Sequence, residues 1–158
     1  MRNRFAPLAG WMAMLSCLLM TTCLATSCTT RIVPPDRPPD QIVTLTVTAY
    51  CNCQKCCGWH YSWFGLGPAV VSNGPNKGKR KIIGQTALGN QARHGTLAAD
   101  TAVFPFGTIM QIPGFGCGIV EDRGGAIKGE KLDLWMSSHE EAKQWGVQKL
   151  KVKVWRSQ

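Results

Sequence analysis

Apolar and polar residues alternate most clearly at the two ends of the chain's main body. From Ile42 to Tyr50, Val43, Leu45, Val47 and Ala49 fall on one face and Thr44, Thr46, Thr48 and Tyr50 on the other. That period of two is the mark of a strand with one buried face. From Val147 to Trp155, Leu150, Val152 and Val154 point inward and Lys149, Lys151 and Lys153 outward. A lysine row of this kind is a solvated face, and on an outer strand it discourages edge pairing. Between these ends lie shorter pieces: segments 82–89 and 95–100, the run Thr108–Ile112 closed by Pro113-Gly114, and two apolar runs that carry Asp122 and Asp133. Strands so short and frequent, punctuated by glycine, predict a mainly β fold, a barrel or a sandwich. One short helix is well signalled. Ser137 or Ser138 can cap the run that ends at Trp145, with Glu140 or Glu141 at the capping-box position and Gly146 beyond the end. His139 falls in its first turn, where an exposed structural role is expected. Residues 59–81 have no steady period and read as one long loop.

The first residues belong to a different class of sequence. Arg2 and Arg4 precede an apolar run from Phe5 to Leu24 without an acid, the charged start and apolar body of an export signal. Ala25-Thr26-Ser27-Cys28 resembles the lipobox of bacterial lipoproteins, in which the cysteine is acylated. The run is also nearly long enough to stay in place as an anchor. Residues 1–28 are thus expected to tether the protein to a membrane outside the cytoplasm, through lipid on Cys28 or through the segment itself. Residues 29–41, TTRIVPPDRPPDQ, hold paired prolines that favour extended polyproline II, so they are expected to act as a spacer. Residues 42–158 remain for one ordinary domain.

Charge narrows the partner. Lys and Arg number 18 against 9 Asp and Glu; without Arg2 and Arg4, sixteen remain against nine. An exported domain with this excess suits an anionic polymer or surface. The lysines form no DNA- or RNA-binding motif, so nucleic acid is not the expected partner.

Three aspartates carry the candidate chemistry. Gly118-Ile119-Val120 delivers Asp122 to a turn, Glu121-Asp122-Arg123-Gly124-Gly125, while Asp133 interrupts the apolar run Leu132–Leu134 and Asp100 ends Leu97-Ala98-Ala99-Asp100. Aspartate beside glycine is common turn chemistry. An acid inside a strand-like run, however, needs a partner or water, because burying an unpaired charge is costly. We read the three as lining one groove. Glu121, adjacent to Asp122, is expected to point to the opposite face of its strand.

Cysteine supplies a second cluster, Cys51, Cys53, Cys56 and Cys57, with Cys117 far downstream. In an exported protein disulfides are the default, although five thiols leave one over. A metal site on Cys51, Cys53, Cys56 and Cys57 is the minor alternative, because structural zinc usually draws two ligands from each of two knuckles and only Cys117, His60 and His94 offer a second half. No metal or other cofactor is therefore called for.

These motifs together carry a family resemblance. Thr48-Ala49-Tyr50-Cys51, Gly84-Gln85-Thr86-Ala87-Leu88-Gly89, Gly95-Thr96-Leu97-Ala98-Ala99-Asp100, Pro105-Phe106-Gly107-Thr108, Glu121 to Gly129 and Leu132-Asp133-Leu134-Trp135 resemble, in this order, the 3D domain, which is named for three aspartates. The resemblance covers roughly residues 44 to 155. It implies a small six-stranded double-psi β-barrel, related to the catalytic barrel of A-type lytic transglycosylases and to stationary-phase survival muralytic proteins. It further implies cleavage of peptidoglycan glycan strands with Asp122 as catalytic acid, Asp100 and Asp133 as supporting acids, and Thr86, Gly124, Gly125 and Lys128 bordering the glycan groove. Thr48 and Tyr50, at the polar end of the first strand, are added as sugar-binding candidates. The alternative activity is wall binding or loosening without cleavage, as in expansin-like proteins that share the barrel type. Aromatic residues Trp59, Tyr61, Trp63 and Phe64 either stack on sugar rings or form a local core.

Overall fold

The computed structural model describes residues 31–157; the expected export segment, with Cys28, lies outside the described residues. In chain order the elements are β1 (Gln41–Tyr50), α1 (Gln54–Cys57), β2 (Trp59–Tyr61), β3 (Ala69–Val71), β4 (Thr96–Ala99), β5 (Ile109–Ile112), β6 (Gly116–Asp122), β7 (Lys131–Trp135), α2 (His139–Trp145) and β8 (Gln148–Trp155). Among the described residues no helix is long and apolar enough to cross a membrane.

Six strands close into a barrel in the order β1, β7, β4, β6, β5, β8, with β8 returning to β1. Most neighbours are antiparallel, but β1 runs parallel to β7 and β4 parallel to β6. Parallel neighbours cannot be joined by a tight hairpin and require long crossing connections, so two of them in so small a barrel give it the interleaved topology expected of a double-psi fold. A closed barrel also has no free edge. The lysine row of β8 therefore guards none: β8 pairs with β1 on one side and β5 on the other, and its lysines are simply the solvated face.

Alternation fills the interior as the sequence predicts. Leu45 and Val47 of β1, Leu97 of β4, Met110 and Ile112 of β5, Val120 of β6, Leu132 and Leu134 of β7, and Val152 and Val154 of β8 are all buried in one core, with Phe104 from the β4–β5 connection. The strands pack tightly enough to demand glycine at 118, where an added Cβ would stand 2.7 Å from the carbonyl oxygen of Gly95 and from the side chain of Leu97.

Two parts depart from expectation. The segment 59–81 is not an unstructured loop: β2 and β3 pair as an antiparallel ribbon, joined through a 3-10 turn at Trp63–Gly65. Three-residue strands give too few alternations to read as a period. Within this ribbon Trp59 is buried and packs edge-on against Tyr61, whereas Trp63 and Phe64 are exposed. A second helix, α1, forms one turn in the cysteine cluster; the Cys53 sulfur accepts from the Cys56 N–H at its start and Gly58 ends it at φ 54°. Residues 31–40 contain no helix or strand, yet their end is fastened to the barrel. The Asp40 N–H donates to the Val154 carbonyl at 2.9 Å, the Trp155 indole donates to the Arg37 carbonyl at 2.9 Å, and the Asp40 carboxylate takes the Arg156 N–H at 2.7 Å while pairing with the Arg37 guanidinium.

Leu132 is fully buried at the centre of this core. Leu132→Ala is expected to destabilise the domain by about 2–5 kcal/mol. In urea unfolding the midpoint should fall at an unchanged slope; a loss under about 1 kcal/mol would mean that the barrel interior is not close-packed there.

Candidate functional site

The site begins with an irregularity in strand pairing. Thr96 and Leu97 pair with Ile119 and Val120, but Ala98 pairs with Asp122, so Glu121 is skipped. By plain alternation Asp122, two residues on from Val120, would share its core face. The bulge turns Asp122 out of the core and brings it level with Ala98, in the manner by which bulges re-aim side chains beside functional sites. Ala98 in turn pairs with Asp133, and Asp133 with Thr48. Thr48, Asp133, Ala98 and Asp122 thus form one row across four adjacent strands. At the usual strand spacing the two aspartate backbones stand about 10 Å apart, one on each side of Ala98.

Each carboxylate has its own partners. Asp122 Oδ2 accepts from the Tyr50 hydroxyl at 2.9 Å, and Oδ1 accepts from the N–H groups of Ala87 and Arg123, each at 2.9 Å. Asp133 Oδ1 accepts from the Thr48 hydroxyl at 2.8 Å. Burial holds the Asp133 carboxyl above the usual carboxylate range; the Thr48 hydroxyl opposes this and the negative charge of Asp122 adds to it. Burial, followed by the charge and the hydrogen bond of Asp122, raises the Tyr50 phenol well above its ordinary value, so Tyr50 stays protonated and can donate. Glu121, skipped in the pairing, is buried, where it takes the Thr96 hydroxyl at 3.1 Å and pairs with Arg93 at 3.3 Å.

Asp122 and Asp133 open into a cleft of about 290 Å³. Tyr50 and Ala98 line it with them, as do Asn52, Gln85, Lys81, Arg123, Gly124 and Gly125. A Cβ at Gly125 would meet nothing within 4 Å, while one at Gly124 would stand 2.9 Å from Ile127. Other expected residues lie elsewhere. Asp100 does not share the cleft, which corrects the expectation that three aspartates line one groove. Its carboxylate takes the N–H of Gly129 at 2.9 Å and of Ala102 at 3.2 Å. It thereby ties the loop after β6 to the turn after β4, and these two donors hold its carboxyl below the usual range. Thr86 and Lys128 are also outside the lining; the Thr86 hydroxyl is buried without a hydrogen-bond partner among the described residues, and Lys128 is exposed. Thr48 acts through Asp133 rather than on the cleft surface.

Several contributors carried no readable signal. Asn52 holds two indoles, its carbonyl taking Trp59 Nε1 at 2.9 Å and its side-chain oxygen Trp135 Nε1 at 2.8 Å. Lys81 arrives at the cleft because its N–H donates to the Ala69 carbonyl at 2.8 Å, beside β3. His139 does not have the exposed role expected of it: it is half-buried, with Nδ1 3.6 Å from Cys53 Sγ and 3.4 Å from Cys56 Sγ. The five cysteines among the described residues are free thiols, so the expected disulfides are not formed. Cys57 borders the cleft, but burial pushes its thiol up to about 11, which leaves it protonated and a weak nucleophile at neutral pH.

A closed double-psi-type barrel with two carboxylates beneath an open, polar cleft defines a class of small barrel proteins. The chain carries a 3D domain: the family model matches residues 95–158. It is 41% identical over 77 residues to the cell wall-binding protein YocH of Bacillus subtilis (strain 168), a match covering 46% of this chain and 27% of that one. It is 35% identical over 115 residues to the putative cell wall shaping protein YabE of the same organism, covering 72% of this chain and 23% of that one. The chain therefore spans about a quarter of the length of these relatives. Among solved structures it is similar to MltA from Escherichia coli, with a TM-score of 0.39 at 19% identity over 60% of this chain and 33% of that one. The same protein with bound chitohexaose gives a TM-score of 0.36 at 18% identity, covering 48% and 29%.

The raised Asp133 has a consequence for stability. The folded protein holds this proton more tightly than the unfolded chain, whose aspartate titrates near ~3.9. Between the two values the native state binds more protons, so this group lowers stability as pH rises through that window, and the loss persists above it. Asp133→Asn is expected to be more stable than wild type at neutral pH and to show a flatter profile above about pH 4 in urea unfolding. A variant less stable at pH 7, with the profile unchanged, would mean that the Thr48 bond outweighs the burial.

Proposed function

We propose that this protein is a peptidoglycan lytic transglycosylase that cleaves the β-1,4 bond between MurNAc and GlcNAc and leaves a 1,6-anhydroMurNAc end. The observation that carries the proposal is the row on the cleft floor, in which the bulge aims Asp122 outward beside small Ala98 and opposite Asp133. An ordinary glycosidase divides acid and base between two carboxylates. Here the substrate's own C6 hydroxyl is the nucleophile. Asp122 gives its proton to the glycosidic oxygen, the bond from C1 to that oxygen breaks, the C6 oxygen bonds to C1, and the C6 proton passes to Asp122. Attack from within one sugar also avoids most of the entropic barrier of a second reactant.

The geometry favours one oxygen of Asp122 for this work. Oδ1 faces two backbone N–H groups, which can only donate, whereas Oδ2 faces a hydroxyl, which can donate or accept. The transferable proton belongs on Oδ2, with the Tyr50 hydroxyl turning to accept from it. Lys81 and Arg123, both on the cleft wall, suit the carboxylates that wall glycans carry on their lactyl and peptide groups. Export and tethering through residues 1–28 complete the proposal, since the substrate lies outside the cytoplasm.

A second reading is wall binding or wall shaping without cleavage. The names of the two Bacillus relatives favour it. The two readings separate in mass spectrometry of muropeptides released from purified peptidoglycan by the full chain, wild type beside Asp122→Asn. The transglycosylase predicts 1,6-anhydro products from wild type and a loss of about 10²-fold or more in the variant, the usual contribution of an acid–base group. Reducing-end products would replace it with hydrolysis, Asp133 being the second carboxylate. Retained wall binding with no release by folded wild type would establish the binding reading.

A further inference from the structure

The end of β1, the turn of α1 and the start of α2 bring four potential ligands to one point. Cys51 follows β1 directly, Cys53 and Cys56 lie on either side of the α1 N-terminus, and His139 is the first residue of α2. One atom from each, three sulfurs and a ring nitrogen of His139, all lie within 4.8 Å of one another. Cys51 Sγ is 3.8 Å from Cys56 Sγ, and His139 Nδ1 is 3.4 Å from Cys56 Sγ and 3.6 Å from Cys53 Sγ. A tetrahedral zinc ion with Zn–S of about 2.3 Å and Zn–N of about 2.0–2.1 Å sets its sulfurs about 3.8 Å apart and sulfur to nitrogen about 3.5 Å apart. Three of the six pairs stand at these spacings already, and all the ligand atoms lie within 4.8 Å of one another.

We propose that Cys51, Cys53, Cys56 and His139 Nδ1 hold one Zn²⁺ ion in a closed, structural site. Three soft thiolates and an imidazole in tetrahedral array select zinc over the oxygen-seeking cations, and four protein ligands leave no position for a reacting water. The outer shell agrees. The Cys56 N–H points at Cys53 Sγ at 3.4 Å, the kind of backbone donor that steadies a metal-bound thiolate. On binding, each thiol gives up its proton to solvent and its sulfur donates an electron pair to the ion, with no change of oxidation state.

The two remaining cysteines among the described residues stand aside. Cys57 Sγ instead donates to the Cys51 carbonyl at 3.1 Å, and Cys117 lies on β6. A disulfide would use two sulfurs and would leave no reason for a histidine from α2, more than eighty residues on, to face the other two. The position of the site also gives it a task. Cys51 immediately follows Tyr50, whose hydroxyl meets Asp122, and Asn52 and Cys56 belong to the cleft wall. Zinc would pin the end of β1 and the cleft wall to the start of α2, fixing Tyr50 and Asn52 in place.

The test uses the full chain, purified in detergent with a phosphine reductant and no added metal. Elemental analysis is expected to give one zinc per chain, and cobalt exchanged into the site should show the absorption of tetrahedral, thiolate-bound cobalt. His139→Ala, a change at the first residue of α2, is expected to leave the barrel folded and to weaken zinc by at least about tenfold, the loss caused even by removing an outer partner of a ligand. Cys53→Ser should do the same, Cys57→Ser should leave binding intact, and a chelator should lower the melting temperature of wild type but not of His139→Ala. Absence of stoichiometric zinc from folded, reduced protein would overturn the proposal. So would zinc that survives His139→Ala but is lost in Cys57→Ser, or metal-free chain isolated without reductant that carries a disulfide among Cys51, Cys53 and Cys56.

Discussion

Glu121 sits where the pairing of β6 with β4 slips by one residue, and the placement of both acids at the end of β6 depends on that slip. Without it, alternation would send Asp122 into a core of wholly apolar side chains. With it, Asp122 joins the face that Ala98 presents, and Glu121 is buried outside the core cluster with partners of its own: the Thr96 hydroxyl and the Arg93 guanidinium. A buried carboxylate is tolerated when its oxygens are bonded and its charge is paired, and it is costly when either is missing. The bulge is therefore steadied by the bonded and paired Glu121 while Asp122 is left to line the cleft.

The same slip organises the loop that roofs the cleft. The Glu121 carbonyl takes the Leu88 N–H at 3.2 Å, while the Asp122 carboxylate takes the Ala87 N–H at 2.9 Å. Arg93, at the far end of that loop, returns to Glu121. One dipeptide thus holds residues 87 to 93 at both ends, which explains why a segment lacking regular secondary structure borders the site in a defined position. Asp100 does the equivalent for the opposite loop, through Gly129. Two of the three aspartates face the cleft, and the third holds one of its walls by accepting backbone donors.

Much of the fold was legible because long strands repeat their signal. The nine residues from Ile42 to Tyr50 and the lysine-lined β8 show their faces over several periods, and α2 has both of its caps in the sequence. Three features were not legible, each for a physical reason. A bulge adds one residue to one strand only, so it shows in the pairing and not in the composition. The ribbon of β2 and β3 is too short to establish a period. His139 reads as a helix-start residue because its partners are distant in sequence; the spacing of Cys51, Cys53 and Cys56 was visible, but a fourth ligand supplied singly does not make the second knuckle that a zinc pattern normally offers. The aspartates stood out for the opposite reason: a charged residue inside an apolar run conflicts with its local pattern, and such conflicts mark functional sites.

Asp133 shows how that conflict is used. Its carboxyl is held above the ordinary range chiefly by burial and is bonded by a single hydroxyl, from Thr48. Asp122, across the small side chain of Ala98, has three donors and opens to the cleft. Two acids on one floor are thereby given unlike surroundings, the means by which one site can separate the roles of otherwise identical groups. Ala98 matters because it is small: a larger residue between the carboxylates would fill the cleft floor and would shield each acid from the other's charge. The chemistry of the cleft thus traces back to backbone register, which chooses the strands, the level and the neighbour of each carboxylate before any substrate arrives.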